Sequence, residues 1–306
     1  MILWRNDSFA RLTAALLVIV LASGCGQKEI PEAPAGPFER GVAALDANRL
    51  DEALAEFEEV IRAEPDRAEA YLKRAHCYYK QGRMDLAVAD CDIAIKLKPD
   101  YADAYRGRGS ARWQSGDTAR AIEDYTRSIQ LNPKGAEAFL NRAGVYLELG
   151  NLDRAISDYS VAIQLAPDTV AAYGGRACAY EQRGDLDRAV TDLDRAIRLD
   201  PKLPESYFVR GRVYGKLGKM ESLIGDFSRV VELDPNPAEA YFGRGLAWAM
   251  QGDAASAIAD LDRAIQLRPD YLEAYRARGQ LYEAQGNPAR AAEDQSMAAR
   301  LDTTLR

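Results

Sequence analysis

The sequence predicts an all-α fold, an α-solenoid of about eight helix-turn-helix units. Three observations carry this. Pro65, Pro99, Pro133, Pro167, Pro201, Pro235 and Pro269 stand 34 residues apart. Gly82, Gly116, Gly150, Gly184, Gly218, Gly252 and Gly286 keep the same spacing. So do eight arginines, from Arg40 to Arg278, each followed 16 residues later by an acid. A period of roughly 20–50 residues marks an array in which each unit buries its apolar face against its neighbours.

The chain begins with a different kind of element. Arg5 and Arg11 precede the apolar run from Leu12 to Ala22. A basic start, a short apolar core and then small residues make a secretory signal. A membrane-spanning helix needs about 20 apolar residues, more than this run offers. Ala22, Ser23 and Gly24 stand directly before Cys25, and "LASGC" resembles the bacterial lipobox, with Leu21 one place further from the cysteine than usual. That resemblance implies diacylglycerol on the Cys25 thiol, cleavage before Cys25 and lipid attachment to the membrane. The alternatives are an ordinary secretory signal with a coincidental cysteine, and an uncleaved anchor. Residues 1–24 are thus read as the signal. Residues 25–37, with Pro31, Pro34 and Pro37, form a stiff tether that cannot pack. Gly26, where retained inner-membrane lipoproteins tend to carry Asp, leans toward the outer membrane.

With the proline at position 32, the units run 34–67, 68–101, 102–135, 136–169, 170–203, 204–237, 238–271 and 272–305. In period and recurring residues they resemble the tetratricopeptide repeat (TPR). The resemblance implies a right-handed superhelix of helix pairs. Each recurring residue has a physical reason. Position 15 is Gly in seven units and Asn48 in the first. The turn after the first helix needs a left-handed backbone, which Gly adopts freely and Asn tolerates best after it. Position 8 is always Gly or Ala, and position 20 is Ala except for Leu223. Small residues at both let the paired helices approach. Aromatics at position 4, Tyr71 to Tyr275, and at position 11, such as Tyr78 and Trp248, are expected to fill the core rather than form a binding stripe. The proline ends the second helix.

The ends and the sixth unit depart from the pattern. Pro37 replaces the first aromatic, and Gln295 replaces the apolar residue at position 24, so the final helix is expected to act as a solvating cap. Unit six, with Leu223 for Ala and Gly225 inside its second helix, is the candidate weak point or bend. Position 7, Leu in the usual family pattern, is Arg in all eight units, and position 23 is always acidic. Pairs such as Arg108 with Asp124, Arg142 with Asp158 and Arg176 with Asp192 are expected as a partly buried ion-pair ladder. The rival reading is an arginine stripe for anionic ligands.

In TPR proteins the first helix of each unit lines the concave face, mainly through positions 2, 5, 6, 9, 12 and 13. Mapped here, these give a candidate partner-binding groove of Leu72, His76, Tyr79, Arg106, Trp113, Leu140, Asn141, Phe208, Arg212, Phe242 and Met250. Exposed Leu72, Trp113, Phe208 and Phe242 would mark an interaction site; the bland alternative is that they fill the groove between helices. Gly174 and Gly175 sit inside a helix at a cost of about 1 kcal/mol each, consistent with close approach of a partner backbone or with drift. The Lys/Asn clamp by which some TPR co-chaperones hold a carboxylate is incomplete here. Ser110 replaces its Asn, and Ala171 and Gly175 replace its third-unit bases.

Composition narrows the function. A net charge of −7 argues against nucleic-acid binding. One histidine and four cysteines leave little for a metal or histidine-based catalytic site, and no phosphate loop or nucleophile–base spacing occurs. No cofactor is expected. Cys77 and Cys91, at positions 10 and 24 of one unit, leave a disulfide open. The chain resembles TPR lipoproteins of the bacterial envelope. That implies a non-catalytic scaffold at the cell membrane, facing the periplasm, with envelope proteins or peptides as partners. A self-assembling structural component and a non-catalytic subunit of an envelope enzyme are the alternatives.

Overall fold

A computed structural model describes residues 36–304. The signal and Cys25 lie outside the described residues. Sixteen α-helices and no strand occur among those residues. The chain divides into two compact bodies that meet in sequence at Arg176 and Ala177. The first contains α1 (Pro37–Asp46), α2 (Leu50–Ala63), α3 (Ala68–Lys80), α4 (Met84–Leu97), α5 (Ala102–Gln114), α6 (Thr118–Leu131), α7 (Ala136–Glu148) and α8 (Leu152–Leu165). Helix α9 (Val170–Arg183) includes the division. The second continues with α10 (Leu186–Leu199), α11 (Pro204–Lys216), α12 (Met220–Leu233), α13 (Ala238–Met250), α14 (Ala254–Leu267), α15 (Leu272–Ala284) and α16 (Pro288–Thr304). Odd-numbered helices are the first of each pair, even-numbered the second.

The turn inside each pair is set by one residue. Asn48 has φ 57°, and Gly82 and its equivalents lie between 71° and 89°. At the end of α3 the Gly82 and Arg83 amides return to the carbonyls of Tyr79 and Tyr78, closing the orphan carbonyls of the last turn. The stop between pairs has a second function. At position 4, Tyr71, Tyr105, Tyr173, Tyr207 and Tyr275 donate their hydroxyls to the carbonyl of the preceding proline, as Tyr71 does to Pro65 at 3.1 Å and Tyr207 to Pro201 at 3.2 Å.

The aromatic repeat fills the core only in part. Tyr71 and Tyr173 at position 4 and Tyr146 and Tyr282 at position 11 are buried, while Tyr105, Phe139, Tyr207, Tyr241 and Tyr275 at position 4, and Tyr78, Tyr180, Tyr214 and Trp248 at position 11, are half-buried. The fully buried large side chains are those at position 24: Phe57, Tyr125, Tyr159, Leu193, Phe227 and Leu261. Small residues face them. A Cβ on Gly109 would lie 2.9 Å from Tyr125 Cε1, and one on Gly175 would overlap the Tyr159 ring. Gly175 is therefore explained by its own chain, not by a partner backbone. Helix α12 is unbroken over Met220–Leu233 despite Gly225. The bulk of Leu223 is taken up by Gly215, where a Cβ would lie 2.9 Å from Leu223 Cδ1. Cys77, Cys91 and Cys178 are buried free thiols, and burial pushes them up to about 11, 12 and 12. On α16, Gln295, Ser296 and Arg300 face solvent.

Candidate functional site

Helices α3, α5 and α7 touch one another in the first body, as do α11, α13 and α15 in the second. Each body thus presents a face built from the first helix of each pair, and the inner-face residues sit there with very different freedom. In the first body Leu72 is half-buried against the cluster of Ala68, Tyr71, Ala94 and Ala104. Trp113 is half-buried and donates Nε1–H to Glu148 Oε2 at 2.5 Å. Leu140 is only 2% exposed. The Tyr125 hydroxyl reaches the face from the core and donates to Ser110 Oγ at 3.1 Å, and Asn141 Nδ2 donates to the same oxygen at 3.4 Å. Arg106 pairs with Asp103 at 3.2 Å.

His76 is the unusual member. Its Nε2 is buried with no hydrogen-bond partner among the described residues. Burial, then Lys80, Lys73 and Arg106, lowers its pKa to about 4. The imidazole is therefore neutral at pH 7, in a basic neighbourhood beside half-buried Tyr79, whose pKa burial raises.

In the second body Phe208 stacks on Phe227 with ring centroids 5.3 Å apart, and Phe242 tilts against Tyr271 at 4.9 Å. Phe242 is buried and Phe208 half-buried, so the expectation of four exposed apolar groove residues is corrected. All of them, Trp113 and Leu72 included, are partly or fully packed, and Met250 is the one freely exposed at 70%. Arg212 is held by Glu181, with Nε donating at 3.0 Å, and Lys216 reaches the same carboxylate at 2.9 Å. The Glu181 side chain is 1% exposed. Sequence reasoning missed this cluster because position 12 is acidic only in units five and eight. The spacing of 31 from Glu181 to Arg212 was its signal.

The arginines form a second constellation. Arg142 grips Asp158 with Nε and Nη2 at 2.7 and 2.9 Å, and Arg108 grips Asp124 at 3.0 and 2.6 Å. The third nitrogen, Nη1, reaches back to position 25 of the preceding unit. Its acceptor is Asp92 for Arg108, Thr126 for Arg142, Ser160 for Arg176, Asp194 for Arg210, Ser228 for Arg244 and Asp262 for Arg278. The position 4 and 11 aromatics flank the same guanidinium; Arg142 lies 5.9 Å from the Phe139 centroid and 5.8 Å from that of Tyr146. Arg108, Arg142, Arg210, Arg244 and Arg278 thus each join both helices of their own unit and the unit before. Hydrogen bonds to these acids hold Arg74 and Arg244 above the ordinary arginine range. Unit three has Arg112 in place of the position 11 aromatic, and it adds a 2.7 Å contact to Asp124.

Among the described residues no group of acidic, histidine or cysteine side chains is arranged to hold a metal, and no helix is long and apolar enough to cross a membrane. Stacked helix pairs with a conserved-register frame and a varied face define a helical-repeat scaffold. The profile described as "Tetratricopeptide repeat" matches residues 38–102, 106–170, 208–271 and 251–304, and a "TPR repeat" profile matches 177–218. The chain belongs to the tetratricopeptide repeat family.

Three solved structures give the fold likeness. Pseudomonas aeruginosa pilF aligns at TM-score 0.62 and 17% identity over 71% of this chain and 97% of its own. A tetratricopeptide repeat protein from Parabacteroides merdae aligns at 0.58 and 22% over 80% and 96%. YrrB, described as a TPR protein with an unusual peptide-binding site, aligns at 0.53 and 22% over 61% and 97%. At these identities the likeness is one of fold. No curated protein matches the chain.

Proposed function

We propose that the protein is a non-catalytic scaffold of the bacterial envelope. It is tethered through lipidated Cys25 to the periplasmic side of a membrane, the outer in preference to the inner. It binds proteins or peptides on the face built from the first helix of each unit. One observation carries the binding reading. The frame recurs in every unit, while the face changes from Leu72, His76 and Tyr79 to Arg106 and Trp113 and then to Leu140 and Asn141. Among these, the buried His76 Nε2 has no hydrogen-bond partner among the described residues. The family's fold is a protein-interaction scaffold, which supports partners of this class. The signal, the lipobox and the proline-rich tether support the location.

Two experiments test it. Crosslinking capture in the source bacterium compares the wild type with a Tyr79→Ala, Trp113→Ala variant. Leu140 is left intact, because truncating so buried a leucine costs about 2–5 kcal/mol and would confound the result. Capture of defined envelope proteins by the wild type and their loss in the variant is expected. Unchanged capture would move the site off this face, and no capture by either would end the scaffold reading. For the anchor, Cys25→Ser is expected to release the protein from the membrane fraction and to remove the acyl mass. Continued fractionation with membranes would refute lipidation.

A further inference from the structure

The outer face of the first body carries a pattern that the groove reading does not use. Repeat positions 19 and 26 lie two turns apart on one side of each second helix. In α2 they are Glu52 and Glu59, in α4 Leu86 and Ile93, in α6 Arg120 and Arg127. All six are exposed. Glu52 and Glu59 are 51% and 58% exposed and Arg120 67%, and they make only solvent-facing pairs within the chain, with Arg49 at 3.0 Å, Arg40 at 3.9 Å and Asp117 at 3.3 Å, which leave them open to a second partner; Leu86 and Ile93 are 37% and 38% exposed. Unit two is the only unit with large apolar residues at both positions. These helices are neighbours in order. Arg108 bonds Asp92 on α4 and Asp124 on α6, while Arg74 bonds Asp90 on α4 and feels the charge of Glu58 on α2. The surface therefore reads acid, apolar, base across three adjacent helices at a common height.

We propose that this surface docks a second copy of the same chain, about a two-fold axis parallel to α4. Such an axis turns the partner over and reverses the helix order without shifting it along the helix. Leu86 then meets Leu86 and Ile93 meets Ile93. Glu52 and Glu59 of each copy face Arg120 and Arg127 of the other, as an isologous interface requires. The small Ala55 and Ala89 stand between the ridges, and Glu123 of one copy lies opposite Ala55 of the other. A two-fold axis across the helices would instead set acid on acid and base on base. An anionic lipid surface or a uniformly basic peptide would meet a like-charged edge on one side of the ridge.

Three helices of 14 residues are about 21 Å long, and their exposed ridges together offer roughly 500 Å² per copy. A stable interface needs about 800 Å² per partner, so this contact makes a weak dimer, populated at high protein concentration and dissociated by salt.

The test is sedimentation of the purified full chain over a concentration series, at low and at high salt. Three variants accompany it: Glu52→Arg with Glu59→Arg, Arg120→Glu with Arg127→Glu, and Leu86→Arg with Ile93→Arg. The last places on α4 the arginines that α6 and α10 already carry at these positions, so the helix tolerates them. Circular dichroism checks that each variant keeps its helix content. Each is expected to remain a monomer where the wild type dimerises. An equimolar mixture of the two charge variants is expected to dimerise again, because every facing pair is then opposite in charge. A wild type monomeric at all concentrations would overturn the proposal, as would variants that dimerise alone or a mixture that stays monomeric.

Discussion

Gly175 and Gly225 are both glycines inside helices, and their substitutions to alanine should have opposite signs. At Gly225 nothing lies within 4 Å of an added Cβ. Gly225→Ala should therefore raise stability by about 1 kcal/mol, through helix propensity alone. At Gly175 the Cβ meets Tyr159, itself 2% exposed and unable to yield. That overpacking costs about 1–3 kcal/mol and outweighs the propensity gain. Thermal or urea unfolding of the two variants decides it, and equal shifts would refute the close approach. His76 gives a pH prediction. Its folded pKa of about 4 lies below its ordinary 6.5, so the unfolded chain takes up the proton first. Its share of stability is complete above pH 6.5 and is lost as pH falls toward 4. Replacing it with leucine, which leaves no orphan nitrogen, should flatten this part of the profile. The wild-type-minus-variant difference should reach about 2 kcal/mol at the acid end, allowing for the partly exposed ring. Neither behaviour was legible from residue type. A lone histidine on a helix face reads the same with or without a partner. Gly175 is explained only once Tyr159, in the preceding unit, is known to lean across.

Between elements, the arginine frame carries the array. Arg142→Leu leaves Asp158 buried without its partner, and Asp158→Leu does the reverse; each should cost about 3–5 kcal/mol. The double variant removes both charges together and should cost clearly less than the sum, which a double-mutant cycle in urea measures. A double variant that unfolds the protein while the single changes are silent would reverse the reading. Thr126→Val tests the bond to the preceding unit separately. It keeps the shape, deletes the acceptor of Arg142 Nη1, and should cost about 1 kcal/mol. The turn glycines, the prolines and the position 7 and 23 charges were readable because one residue type answers one requirement at each spacing. The third contact of each arginine was not. After Glu58 in the first unit, position 25 varies among Asp, Thr and Ser, which share only an acceptor oxygen. The position 4 and 11 aromatics were legible only in part. Tyr71, Tyr146, Tyr173 and Tyr282 are buried as the pattern suggests, but the ring also flanks the guanidinium and, at position 4, the hydroxyl binds the proline carbonyl, which leaves residues such as Tyr105 and Tyr207 half-buried.

On the scale of the whole chain, stability in a repeat array is close to a sum of unit terms and nearest-neighbour interfaces, so an end differs from a middle only in the face it leaves open. In unit eight position 24 is the exposed Gln295, where Phe57, Tyr125, Tyr159, Leu193, Phe227 and Leu261 are fully buried in other units. In the second body Leu261 packs with Phe242, Ala264 and Tyr271 and is covered by Ala274, Ala277 and Leu281 from α15. A chain ending at Tyr271 would uncover that cluster, with Leu261 at the position Gln295 occupies in unit eight. The truncated chain should unfold at lower temperature, bind a hydrophobic dye and associate. Adding Leu261→Gln should suppress dye binding and association without restoring the lost interface energy, because a capping residue changes solvation and replaces no neighbour. Dye fluorescence and sedimentation separate the two effects. If Leu261→Gln leaves the truncated chain as sticky as before, the polarity of α16 is incidental, and the end is kept soluble by its overall charge instead.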